Sequence, residues 1–154
     1  MLDHPGSAVF VAQHNGDVVG FSSVTEDLSQ MYRWVVVHRF YQVGLPILWK
    51  MTSWRRIRRA LENVLYPASR NSADLPRAEL LSVSVSPDHR RRGLGRSLVH
   101  ARLDWLRGRG VKRVRVFSTE GLKANPMFNA MGFTLAMKTE HHGQPVNVYI
   151  YEIP

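Results

Sequence analysis

The sequence predicts an α/β domain: a mixed sheet with helices packed on its faces. Three observations carry that expectation. An Asn-Gly turn joins two apolar runs near the start. A later alternating run breaks into a loop rich in arginine and glycine that opens a helix. The signals then follow the order β-β-α-β-α-β-α-β-β, without repeats or low-complexity tracts. The chain has 154 residues, 44% of them apolar, which is one domain's length with material for a core.

Val9–Ala12 and Val18–Val24 read as strands joined across His14-Asn15-Gly16-Asp17, where Asn-Gly supplies positive φ. Residues 25–46 are ambiguous; Trp34-Val35-Val36-Val37 fits a strand or part of a helix. From Ile47 the apolar positions 47, 51, 54, 57, 61, 64 and 65 have helical spacing, with Lys50, Arg55, Arg56, Arg58 and Arg59 on the other faces. Tyr66-Pro67 ends that helix and 68–76 is a polar loop. Leu81, Val83 and Val85 alternate with Ser82, Ser84 and Ser86, a strand whose small-residue face meets solvent or leaves room for a ligand. A helix over about 95–106 carries Leu94, Leu98, Ala101 and Trp105 as its stripe and stops at Gly108 and Gly110. Val111–Ser118 is a strand, Pro126–Met131 a short helix closed by Gly132, and Phe133–Lys138 with Val146–Ile153 a last hairpin.

The composition excludes several classes. There is no cysteine, hence no disulfide, thiolate metal site or cysteine nucleophile. The seven histidines show no metal spacing, so no metal is expected. No apolar run approaches the roughly 18–20 residues of a membrane span, and the N-terminus lacks the pattern of a secretory signal, which points to the cytoplasm. The net charge is +9, and it is uneven: residues 1–50 carry −1 and residues 51–154 carry +10. Such a basic half suits an anionic partner, and arginine suits two-pronged contact with phosphate.

The chemistry concentrates in Val85-Ser86-Pro87-Asp88-His89-Arg90-Arg91-Arg92-Gly93-Leu94-Gly95-Arg96-Ser97-Leu98. A strand end, a basic loop and a helix N-terminus follow one another. Unpaired N–H groups in the first helical turn suit an anion. Gly93 and Gly95 let phosphates approach the backbone, and Arg90, Arg91, Arg92 and Arg96 add charge-assisted bonds. The expected ligand carries a pyrophosphate; a solvated basic turn is the competing reading. The lysine of a Walker loop and the third glycine of a dinucleotide fingerprint are absent.

Arg90-x-x-Gly93-x-Gly95 after Val85-Ser86-Pro87 resembles the acetyl-CoA loop of the GNAT acyltransferases. Asn125-Pro126-Met127-Phe128 with Met131-Gly132-Phe133 resembles that family's next helix and its closing Gly-Phe. The resemblance covers 9–24 and 79–153 and fails across 25–78. It implies one mixed, mostly antiparallel sheet over 1–154. The usual N-terminal strand and helices are missing, and a helical segment is inserted at about 39–66. It also implies acetyl-CoA as co-substrate. Val83, Ser84 and Val85 pair with the pantetheine arm, and an amide there polarises the thioester carbonyl. The backbone of Arg91, Arg92, Gly93, Leu94, Gly95 and Arg96, running into Ser97, holds the pyrophosphate. Asn125 and Phe128 lie beside the thiol end.

The implied reaction moves acetyl from acetyl-CoA to a primary amine by direct attack in a ternary complex. A small-molecule acceptor is preferred over a protein lysine or N-terminus. Deprotonating a lysine-like amine near pH 7 costs about 4–5 kcal/mol, which calls for a base. Glu79, eight residues before Pro87, stands where some members carry a catalytic glutamate; a surface ion pair with Arg77 is its alternative. Members often place a proton-donating tyrosine four residues before the glycine of Gly-Phe. Here Phe128 stands there, so Ser84, Tyr66, Tyr149 or Tyr151 acts instead, or the thiolate leaves unassisted. That departure keeps open a non-catalytic acyl-CoA-binding module. The exposed edge of Val9–Ala12 invites a homodimer. Arg107, Arg109, Lys112, Arg113 and Arg115 come without interleaved aromatics, which argues against nucleic acid.

Overall fold

The computed structural model describes residues 4–35, 37–38, 75–141 and 143–154. The expected helix over 47–65, the inserted segment at 39–66 and Tyr66 lie outside them. The strands are β1 (Ser7–His14), β2 (Asp17–Thr25), β3 (Ala78–Val85), β4 (Arg113–Thr119), β5 (Thr134–His141) and β6 (Gln144–Glu152). They form one sheet in the order β1-β2-β3-β4-β6-β5. Neighbours are antiparallel except β3 and β4, which run parallel. The helices are α1 (28–35, continuing at 37–38), α2 (Leu94–Arg107) and α3 (Asn125–Ala130). Trp34 is therefore helical.

Local chemistry sets these elements. Asn15 and Gly16 take φ of 52° and 90°, the left-handed pair that a tight hairpin needs. Gly110, at φ 74°, ends the α2 turn, and Val111 N–H bonds back to the Leu106 carbonyl at 3.1 Å. That bond draws Val111 out of the strand, so β4 starts at Arg113.

The buried stripe of α2 is Leu98, Val99, Arg102, Leu103 and Leu106. This corrects the expected stripe of Leu94, Leu98, Ala101 and Trp105. The i, i+4 series from Leu98 turns Arg102 inward, while the Trp105 ring sits under the Arg109 guanidinium at 4.4 Å. Val99, Leu103 and Leu106 pack with Val24, Leu80 and Val116 of the sheet and Phe128 of α3. Burying each such side chain contributes about 1.5–3 kcal/mol.

The alternation along β3 is interrupted. Ser23 faces Ser82 and Val24 faces Leu80, leaving Leu81 unmatched in a bulge. Leu80, Val83 and Val85 thereby share the face toward α2 and α3. Ser82 turns away, where its hydroxyl meets Ser23 Oγ at 2.6 Å.

Leu106→Ala is expected to cost about 2–5 kcal/mol, whereas Val18→Ala, on an exposed position, stays within about 0.5 kcal/mol of the parent. Urea unfolding midpoints measure both.

Candidate active site

The site begins where the sheet comes apart. Parallel pairing of β3 with β4 ends at Leu80–Val116, yet β3 continues to Val85 and β4 to Thr119. Their outer sides stay paired to β2 and β6. Their inner edges face no described strand, so N–H and C=O groups there need another partner.

A cavity of about 240 Å³ occupies the fork. Leu81, Val83, Ser118, Leu122, Phe128 and Arg102 are among its walls. At Val83 and Ala124 it shares walls with a groove of about 720 Å³ that runs along the basic loop. Val85, Arg90, Arg91, Gly93, Leu94, Gly95, Arg96, Lys123 and Met127 line that groove.

The groove ends on the first turn of α2. No side chain caps that turn and no acidic residue stands in it, so its amides are open to an anion. Gly93, the N-cap, takes φ 81°, a conformation that penalises any side chain. Gly95 differs: an added Cβ would meet only Met127 Sδ, at an ordinary 3.5 Å. The fold tolerates a side chain there, and its absence leaves backbone bare toward the groove.

The residues expected from sequence divide into groups. Val83, Val85, Arg90, Arg91, Gly93, Leu94, Gly95 and Arg96 come together along the groove. Arg90 ties the loop to β3 by donating Nε–H to the Val85 carbonyl at 2.9 Å. Arg92 and Ser97 are exposed beside the groove walls. Ser84 is exposed and faces away from Val83 and Val85, opposite Phe21. Asn125 fastens α3 to β4 by donating Nδ2–H to the Thr119 carbonyl at 3.0 Å. Phe128 is buried against Phe133 and Tyr149 and walls the inner cavity.

Glu79 is 3% exposed, and Arg115 donates Nε–H to its Oε2 at 2.9 Å. The surface pair with Arg77 is thus replaced by a buried pair with Arg115; Arg77 sits 3.7 Å from Asp27. Glu79 is among the walls of neither cavity nor groove.

Arg102 was missed. It is 1% exposed and gives Nη1–H to the carbonyls of Ser23 and Ser82, at 3.2 and 2.9 Å, beside the bulge. Burial pulls its pKa down to about 10. The signal that could have found it is its i+4 relation to Leu98. Among the described residues no cluster of His, Asp or Glu could hold a metal ion.

The model of the acetyltransferase (GNAT) family matches residues 54–133, just over half of the sequence. The chain belongs to the GNAT acetyltransferase family. The match begins inside 25–78, where the sequence alone showed no resemblance, and so extends the family upstream of Glu79. A mycothiol acetyltransferase of Beutenbergia cavernae is 36% identical over 73 residues, 47% of this chain. The chain spans 25% of that relative's length. Solved structures share the GNAT fold. SsHAT has a TM-score of 0.73 at 22% identity, over 95% of this chain and 72% of its own. A Salmonella typhimurium protein solved with its cofactor acetyl-CoA has a TM-score of 0.56 at 18% identity, over 97% and 66%. The GNAT sheet is mixed and mostly antiparallel, as the sequence led us to expect.

Breaking the buried pair tests its weight in this GNAT domain. Arg115→Met is expected to cost about 3–5 kcal/mol by stranding the Glu79 carboxylate. Adding Glu79→Gln is expected to restore part of the loss. Urea titrations of both variants decide it.

Proposed function

We propose that the chain transfers the acetyl group of acetyl-CoA to the primary amine of a small molecule, both substrates being bound together. The carrying observation is the continuity of three features: the uncapped α2 amides, the loop groove and the cavity in the strand fork. A diphosphate fits the first, an extended pantetheine arm the second, and a thioester the third. The open edge of β3 offers the arm the hydrogen bonds that a neighbouring strand would otherwise make.

The chain's residues divide the work. The amides of Leu94, Gly95 and Arg96 hold phosphate oxygens, with Arg91 and Arg96 adding charge. An amide of the Val83–Val85 segment faces the thioester carbonyl and stabilises the charge that develops as the amine adds. The C–N bond forms, the C–S bond breaks, and CoA departs. Glu79, oriented by Arg115, takes the amine's proton through water, since its burial bars direct contact. Thiolate departure goes unassisted by Phe128, which has no proton to give, and by Tyr149, which is packed in the core.

Phe128 also favours a second reading, a module that binds acyl-CoA without catalysis. Acceptor-dependent release of CoA across a panel of small amines separates the two; binding without turnover favours the module.

Calorimetry with acetyl-CoA tests the loop. Gly93→Val together with Gly95→Val is expected to weaken binding at least tenfold, through a strained φ at 93 and a filled groove at 95. Binding unchanged in the folded double variant refutes the assignment. Glu79→Gln is expected to lower kcat while leaving acetyl-CoA affinity within threefold.

A further inference from the structure

The groove beside the loop has a second charged wall. Arg90, Arg91 and Arg96 line it from the loop and the first turn of α2, and Lys123 lines it from the chain just before α3. Among the described residues that line it, none is acidic. Lys123 is exposed and forms no ion pair with a described carboxylate. Glu120, the acid three residues before it, is taken by Lys138 of β5. Lys123 thus shares with three arginines a groove whose described walls hold no acid. Cations gathered in this way repel one another, and an anion between them relieves the repulsion.

The fold fixes where Lys123 stands. The Leu122 N–H bonds the Thr119 carbonyl at 3.3 Å, and the Asn125 N–H bonds the Leu122 carbonyl at 3.0 Å. Lys123 lies between these two anchors. Four residues on, Met127 brings α3 against the first turn of α2, its Sδ 3.5 Å from where a Cβ on Gly95 would be. That turn has no side-chain cap, so its amides and Lys123 border the same groove from two different elements. The backbone of Lys123 is tied down, while its four-carbon stem lets the ammonium swing to an anion.

We propose that Lys123 is a donor-binding residue, whose ammonium bonds the diphosphate of acetyl-CoA from the α3 side while the amides of Leu94, Gly95 and Arg96 bond it from α2. This rests on the reading above that the groove holds CoA. The diphosphate then bridges the two helices that border the path to the fork. One of them, α3, carries Phe128 in the wall of the inner cavity. Lys123 takes no part in the chemistry, and the acetyl transfer proceeds as described.

Calorimetric titration of the full chain with CoA, acetyl-CoA and dephospho-CoA tests this, the last keeping the diphosphate without the 3′-phosphate. Lys123→Met retains the apolar stem without the charge, and it is expected to lose about fivefold in affinity for all three at low salt. At about 0.5 M salt, where exposed charges are screened, the loss is expected to shrink below about twofold. Lys123→Arg keeps a cation and is expected to stay within about twofold of the parent at low salt. Lys123 is exposed, so urea midpoints of the variants are expected to match the parent; Lys123→Gln serves if the methionine variant does not fold. A folded neutral variant that binds CoA as the parent does overturns the proposal and leaves the CoA site standing. A loss equal at both salt concentrations, or one that Lys123→Arg shares, also overturns it, since packing then explains the effect. A loss seen with CoA and absent with dephospho-CoA overturns the diphosphate contact. Failure of the parent to bind any of the three overturns both readings.

Discussion

The parting of β3 from β4 is the constraint on which the rest depends. Two parallel strands that stay paired over their whole length leave no polar backbone for a ligand. Here pairing lasts through Ala78–Val114, Glu79–Arg115 and Leu80–Val116, then stops. What holds the fork open is packing on both sides. β2 and β6 keep their grip on the diverging strands, and Phe128 of α3 is anchored by Phe133 at 5.3 Å between ring centroids. The bulge at Leu81 begins where the parallel pairing ends. It lets Leu80 close the core while Val83 and Val85 face the groove.

The buried pair of Glu79 and Arg115 lies within the last stretch of paired backbone. These residues are also register partners across β3 and β4. A charge pair matched at that position fastens the two strands just before they separate. It gives the fork a defined root, because slipping the register would bury each charge against the wrong neighbour. Structure and proposed chemistry thus meet in Glu79.

The loop was legible in the sequence because its parts are contiguous: strand, turn, glycines and helix start follow within about fourteen residues. The β1–β2 hairpin was legible for the same reason, through Asn15 and Gly16. Contacts between distant residues were not. Glu79 and Arg115 are 36 positions apart, and nothing local distinguishes Arg115 from Arg113, which pairs with Glu152 on the surface. Arg102 was missed because a search for apolar residues at helical spacing passes over a charged side chain. The bulge was invisible because Leu81, Ser82, Val83, Ser84 and Val85 alternate without a break; only the partner strand reveals that Leu81 has no opposite number.

The surplus of arginine takes a different meaning once the contacts are known. Arg107, Arg109, Arg113 and Arg115 are held by Asp104, Glu26, Glu152 and Glu79. Arg91 and Arg92 on the loop and Arg96 in the first turn of α2 form no ion pair with a described carboxylate. Among the described residues of the second half, these arginines therefore form two populations. One is neutralised within the fold and sets its geometry; the other is left uncompensated where helix amides already attract anions. Charges of one sign gathered on a compact loop repel one another. A ligand bearing several phosphates relieves that repulsion, which strengthens its binding.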